Sequence, residues 1–509
     1  MANYTSNYIK NYIFQILATG IGLLSLFVVV PYISGDKILY GVYSICVSLT
    51  IFVNYADLGF LTAGQKFAAE SYAKGFLVEE RRYVGFTLFV LLAFVSFVLL
   101  CFLPIAINPS LLISELNDRS TTVASSLIWI IILFSPVLAI KRVLFLAYAV
   151  RIEHYKYQIV TFTANVIKIL SVFYFFKYQS YNLVGYYFFI HIIELISVIL
   201  LFGYAHKRYN YHFKVFLKTI RFAKDLFDNV KALAGASLLN SVAWILFYEL
   251  DLIILAKIAS PETVAIYSIA FTTLTLFRNY LAIVYSAFSP RYNHYVGECN
   301  YDGLRTFFKN NILILAPFVL FPIIVYCFGC HSFILSWVGM EYADSVLLSI
   351  VLTFGNILAF LNYPSSALLT ALNKVRSIIV ASLCLPIVFY GGVLFSYCLW
   401  GIVSFAIFKT VALLLSSIYS FCVSSRSIQT SIREVSNRFI KNYFIPILIC
   451  CIGSYYVMML MPSQHTIESL IIDVIIMSGI IALSFIATAL IAPDFRNQTK
   501  TVFHQFIKK

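Results

Sequence analysis

Three basic residues stand near the middle of apolar runs: Lys168 in "TFTANVIKILSVF", Arg278 in "FTTLTLFRNYLAIVYS" and Lys409 in "FAIFKTVALLLSS". An arginine facing lipid at such depth costs at least ~2.5–3.5 kcal/mol, so such a group faces a bundle interior or a water-filled path. Helical spacing gives each a polar face. Ser268, Thr272, Thr275, Asn279 and Ser286 share one side of their helix, and Arg278 falls about 60° from Thr275 on the same arc. Gln158, Thr161 and Asn165 align with Lys168, and Ser416 and Ser420 with Lys409. Three such cations suit an anion, because Arg offers paired donors to phosphate oxygens and Lys acts as a point charge. Arg142 and its neighbour Lys141 lie nearer a membrane face, where they guard the mouth of such a path or snorkel. The alternative for every cation is a buried carboxylate partner that holds helices together.

The carboxylates read as candidates for cation coupling are Glu194, Glu249 and Asp251 inside apolar runs, with Asp57 at the end of one. Asp251 shares a helix face with Ser237, Ser241, Trp244 and Tyr248, whereas Glu249 points about 160° away. Asp251 is therefore the better candidate for binding a coupling ion, with an interfacial salt bridge to Lys257 as the alternative. Glu194 lies deeper, and is read either as a proton or Na⁺ coupling site or as an ion-pair partner of Lys168. "DLGF" (57–60) marks a helix break and gate. "CFGCH" (327–331) has the spacing of covalent haem attachment. It sits in an apolar run without a loop-rich pocket, so the match is read as chance and no cofactor is expected. No metal-ligand cluster, phosphate-cradling glycine loop or nucleophile triad is present, so ATP hydrolysis is not expected.

The elements that must position these residues are membrane-spanning helices. Of 509 residues, 61% are hydrophobic and only 11% charged, with a mean hydropathy of +0.89. Apolar runs long enough to span a bilayer recur at 11–33, 40–63, 84–106, 123–147, 157–177, 182–205, 229–256, 263–288, 310–337, 345–370, 377–397, 399–423, 442–461 and 467–492. This predicts an all-α polytopic membrane protein of about fourteen spans. The net charge of +14 could suggest nucleic acid, but its placement excludes that partner. Most of the Lys and Arg fall in alternate loops, and the opposite loops hold only Lys37, Arg119, Lys177 and Lys257. This is the positive-inside bias, and it predicts that both termini are cytoplasmic. The basic stretch at 206–231 reads as a cytoplasmic connector that sets topology, and the first span as an uncleaved anchor.

The chain also repeats itself. "GVYSICVSLTIFVNYADLGFLTAGQKFA" (41–68) aligns with "AIYSIAFTTLTLFRNYLAIVYSAFSPRYN" (265–293), and 184–208 parallels 400–426 with Gly185 on Gly401. An even number of spans per unit makes the repeat parallel. The expected division is a six-helix lobe at 1–208, the connector at 209–228, a second six-helix lobe at 229–426, and a C-terminal helix pair with its tail at 427–509. Two such lobes are expected to face each other across a cavity and to alternate between inward and outward openings.

Asn11 in the first span, "YGVYS…ADLG" (40–59), "YELDLIIL" (248–255) followed by "AIYS", and "FSPRY" (288–292) carry a family likeness. In these the chain resembles the polysaccharide-transport branch of the multidrug/oligosaccharidyl-lipid/polysaccharide (MOP) exporter superfamily, which includes the O-antigen (Wzx-type) flippases. The likeness implies a MATE-like fold in the bacterial inner membrane. It also implies a cargo of undecaprenyl-pyrophosphate-linked oligosaccharide, of the O-antigen or capsular kind, flipped from the cytoplasmic to the periplasmic leaflet. Membrane lipids, a coupling ion (H⁺ or Na⁺) and a polysaccharide polymerase are the partners it implies. Arg278, Lys168, Lys409 and Arg142 are then expected to bind the cargo, and Asp251 and Glu194 to couple an ion. A multidrug exporter of the same fold is the nearest rival, but organic cations would favour an acidic path. A membrane glycan polymerase or ligase is disfavoured by short outer loops, and a passive channel by the repeated lobes.

Overall fold

The computed structural model describes residues 2–55, 59–177, 181–209, 211–286, 288–493 and 495–496, and among them every regular element is a helix. The chain divides into two compact units, 1–265 and 266–509, with the dividing point in the first turns of one helix. The first unit contains α1 (Ala2–Ile33), α2 (Lys37–Asn54), α3 (Phe60–Ala73), α4 (Leu77–Ile107), α5 (Asp118–Ala149), α6 (His154–Phe175), α7 (Leu183–Tyr209), α8 (Phe213–Thr219), α9 (Lys224–Tyr248) and α10 (Asp251–Ile258). α11 (Pro261–Ser286) starts at its end and runs into the second. There follow α12 (Ser289–Gly297), α13 (Tyr301–Val338), α14 (Ser345–Phe354), α15 (Ala359–Ala371), α16 (Val375–Trp400), α17 (Val403–Ser427), α18 (Ile432–Met458) and α19 (Ile467–Ile491).

Among the described residues, eleven helices are long and apolar enough to cross a membrane, or up to twelve if the bent pair α14–α15 is one span. The other two of the fourteen expected segments are α9 with α10, and α11. At 26 residues α11 has the length to span, and its interior carries the polar face of Ser268, Thr272, Thr275, Arg278 and Asn279.

Three expected spans are interrupted. Within 40–63 the helix stops after Asn54 and resumes at Phe60, with Gly59 at φ +81°, a backbone conformation that favours glycine. Asp57 itself lies outside the described residues. Within 229–256 the break falls at 249–250, and Asp251 opens α10, where the helix dipole favours a carboxylate. Within 345–370 the axis bends by 45° between α14 and α15.

In the first unit α5 is the hub, with α2, α4, α6 and α7 packed on it, while α1 packs on α6 and α3 on α4 and α9. Leu144 and Tyr148 of α5 meet Val198 and Leu201 of α7 in a buried apolar cluster. The Tyr148 hydroxyl donates to the Leu201 carbonyl at 2.7 Å. At the end of this unit that holds the α5–α6 turn, Arg151 donates both guanidinium nitrogens to Glu80 at 3.0 Å. The Glu80 side chain is fully buried and also accepts from the Tyr211 hydroxyl. The rings of Tyr72, Tyr209 and Tyr211 surround the guanidinium, at 4.7, 4.6 and 5.6 Å. Beside it the Asn11 amide donates to the Ile152 carbonyl and accepts from the Tyr155 N–H, tying α1 to the same turn.

In the second unit α13 is the hub, contacting α14, α15, α18 and α19, and α17 packs on α14, α15 and α16. The α16–α17 hairpin is close enough that a Cβ on Gly392 would lie 1.8 Å from the Phe408 ring. Small residues permit such approach where lipid supplies no hydrophobic drive between helices.

Candidate functional site

The first unit brings three of the intramembrane charges together. Lys141 on α5 donates to Glu194 Oε2 on α7 at 2.5 Å, and Lys168 on α6 donates to Glu194 Oε1. The three helices pack on one another, so one carboxylate bridges two ammonium groups from different elements. The side chains of Lys141, Lys168 and Glu194 keep 9, 18 and 15% of their surface exposed, so the cluster is enclosed but not sealed. Among the described residues no second carboxylate pairs with either lysine, so with both lysines protonated the cluster has one formal positive charge in surplus. Its surroundings include aromatic and uncharged polar side chains, with Arg142 in electrostatic reach of Tyr157. The Tyr157 ring lies 5.9 Å from the Lys141 ammonium. His191, one turn before Glu194, is buried with Nδ1 2.9 Å from the Tyr187 carbonyl and its ring 5.4 Å from that of Phe134. Along α6, Thr161 bonds back to the Tyr157 carbonyl at 3.1 Å, and among the described residues the buried Gln158 Oε1 meets no hydrogen-bond donor.

The other expected site residues lie elsewhere. Arg142 follows Lys141 on α5 but donates to the Asn54 carbonyl at the end of α2, next to the α2–α3 break. Asp251 is fully buried at the start of α10, which packs on α2 and α9. Lys257 donates to the Leu111 carbonyl at 3.2 Å.

In the second unit Arg278 is half-buried on α11 and lies within electrostatic reach of the Tyr363 hydroxyl on α15. Tyr363 stacks on Tyr285, two turns along α11, with centroids 4.7 Å apart and planes within 6°. The threonines of the same face are turned inward on their own helix: Thr272 donates to Ser268 O at 2.8 Å and Thr275 to Phe271 O at 3.0 Å. Arg278 and Asn279 are therefore the groups of this face whose long side chains can reach beyond the helix. Lys409 on α17 is fully buried, its ammonium 4.8 Å from the Phe271 ring centre and 5.1 Å from that of Phe389. It stitches α17 to α11 and α16, about two turns of α11 away from Arg278.

Two features escaped the sequence reading. Lys141 is a direct partner of Glu194, although its place nearer one helix end suggested snorkelling; its four-carbon stem lets the ammonium reach further into the bundle. Asp473 is a fully buried carboxyl on α19, two turns in from the helix start and beside Ser336 of α13. Its signal was a single Asp in "LIIDVIIMSG".

No family model matches the sequence, and no curated protein matches it either. Solved structures do match. A lipid II flippase, MurJ, in its inward closed conformation aligns with a TM-score of 0.63 at 11% identity, over 95% of this chain and 99% of that one. An inward-facing multidrug resistance MATE transporter of the MOP superfamily aligns with a TM-score of 0.66 at 11% identity, over 85% and 99%. An outward-facing MATE transporter of that superfamily aligns with a TM-score of 0.55 at 12% identity, over 85% and 97%. The chain thus has the all-α, polytopic MATE-like fold that MurJ and the MATE transporters share.

Proposed function

We propose that the protein is a flippase of undecaprenyl-pyrophosphate-linked oligosaccharide, an O-antigen or capsular repeat unit. It moves this cargo by alternating access from the cytoplasmic to the periplasmic leaflet of the bacterial inner membrane, with both its termini in the cytoplasm. The observation that carries the reading is the surplus of positive charge inside the spanning helices. In the first unit two lysines share one glutamate, and in the second Arg278 stands on a polar helix face within electrostatic reach of Tyr363. Holding such groups in the bilayer is costly, and a pyrophosphate headgroup offsets that cost. The fold supports the reading, being that of a lipid II flippase over nearly the whole chain.

In this account Lys168 contacts the headgroup within the first unit and Arg278 within the second, and Arg142 at the α2–α3 break meets it on entry. Lys409 holds α11 and α17 in place so that Arg278 is presented. Asp251 is the remaining candidate for a coupling ion. Export of organic cations fits less well, because Glu194, a carboxylate such a substrate would need, is already engaged by two lysines. Deleting the gene tests the reading. Lipid-linked repeat units should accumulate on the cytoplasmic face, whereas unchanged surface glycan would count against it.

A further inference from the structure

The Lys141–Glu194–Lys168 cluster has a charge balance that a purely structural ion pair does not need. One carboxylate and one ammonium neutralise each other, and a second ammonium in a spanning bundle adds an uncompensated charge that must be desolvated. Glu194 divides its two oxygens between the lysines, one each. It thus occupies both, in the bidentate manner in which two oxygens of a phosphate group would. Tyr157, His191, Thr161 and Gln158 around it bring no further carboxylate. The cluster also keeps part of its surface open.

We propose that Glu194 is an internal counter-ion that stands in for the cargo's phosphate. It holds both lysines when the site is empty, and yields Lys168 to a phosphate-bearing anion when cargo arrives while keeping Lys141. When it takes Lys168 back, the cargo is released. Glu194 therefore weakens cargo binding in order to speed release, and the site never holds two bare ammonium groups in the bilayer. This rests on the flippase reading above, and assigns Lys141 and Glu194 a role in setting affinity within it.

The test is a charge series in the full-length protein, reconstituted in phosphatidylcholine nanodiscs so that no anionic headgroup competes, with farnesyl pyrophosphate as the probe and farnesol as control. Glu194→Gln is expected to bind farnesyl pyrophosphate about tenfold or more tighter than wild type and to release it more slowly. Lys168→Gln should bind about tenfold weaker. The double variant Glu194→Gln/Lys141→Gln restores the wild-type net charge and should return to within about threefold of wild-type affinity. It also guards against a Glu194→Gln chain that does not fold with two facing ammonium groups. If wild type binds the probe but Glu194→Gln does not bind it more tightly, or the double variant does not return toward wild-type affinity, the counter-ion role is overturned while the flippase reading stands. If wild type binds farnesyl pyrophosphate no better than farnesol, both are overturned. If phosphatidylglycerol in the disc displaces the probe from wild type at equal concentration, the anion held is a bulk lipid headgroup and the cargo role of the cluster fails.

Discussion

At the scale of single residues, the cost of a cation in lipid decides where to look, and the partner decides what the cation does. Lys168, Arg278 and Lys409 were equivalent in the sequence, each a cation on a polar helix face. In the folded chain they differ: Lys168 shares Glu194 with Lys141, Arg278 lies within electrostatic reach of Tyr363, and Lys409 is buried over two rings. Arg278→Ala should fold, because it removes a half-buried charge, and should lower transport by about tenfold or more, as expected for loss of a charged hydrogen bond to cargo. A whole-cell export assay with protein levels measured alongside checks this, and full activity would remove Arg278 from the path. Lys409→Met should act differently, lowering thermal stability together with transport, since it unstitches α17 from α11 and α16. The polar faces were legible from a 3.6-residue period alone. Which cation meets which carboxylate was not, because that depends on how α5, α6 and α7 pack and how far a lysine stem reaches. Lys141 shows this most clearly.

At the scale of elements, the apolar runs were readable because each spanning helix must be long, apolar and internally hydrogen-bonded. The interruptions were harder to read, since Glu249-Leu250 and Gly355-Asn356-Ile357-Leu358 lie within runs that are apolar on average, yet the helix stops at each. Of the three, the "DLGF" break was the one expected from the sequence; its Gly59 has φ +81°, whereas Gly355 at the α14–α15 break keeps a helical backbone. The Glu80–Arg151 pair was not legible in the sequence, because it depends on how the α5–α6 turn packs against α4 and the residues that follow α7. This buried, bidentate pair ties three elements, and Glu80→Ala should destabilise the protein by about 3–5 kcal/mol by stranding the guanidinium. A thermal-unfolding assay in detergent reads this, and a shift close to zero would show the pair to be dispensable. Nearby, Glu153 precedes α6 and accepts from Lys156 at 2.6 Å and Tyr209 at 2.5 Å. Burial alone would push its carboxyl up, but these two hydrogen bonds hold it below the ordinary carboxylate range. With the folded value depressed, its stabilising contribution is present above ~4.3 and is lost as pH falls through the folded value. Acid unfolding of Glu153→Gln should therefore be less steep than that of wild type below pH ~4.3. Identical profiles would assign the acid sensitivity to other carboxyls.

At the scale of the whole molecule, a MATE-like fold is built from spanning helices that hold more positive than negative charge. An anionic headgroup moving outward across an inside-negative membrane gains ~2.3 kcal/mol per charge per 100 mV, to the extent that it crosses the field. Transport of such a cargo should therefore slow when the potential is collapsed at a fixed pH gradient, and an unchanged rate would show that the potential does not drive it. The most direct measurement is a flipping assay in proteoliposomes. A fluorescent glycan on a short-chain polyprenyl pyrophosphate is supplied to one leaflet, and its arrival in the other is read by quenching. Wild-type protein should move it, Arg278→Ala should move it at about a tenth of that rate or less, and an organic cation should not be carried. Carriage of the cation with no movement of the pyrophosphate lipid would contradict the account.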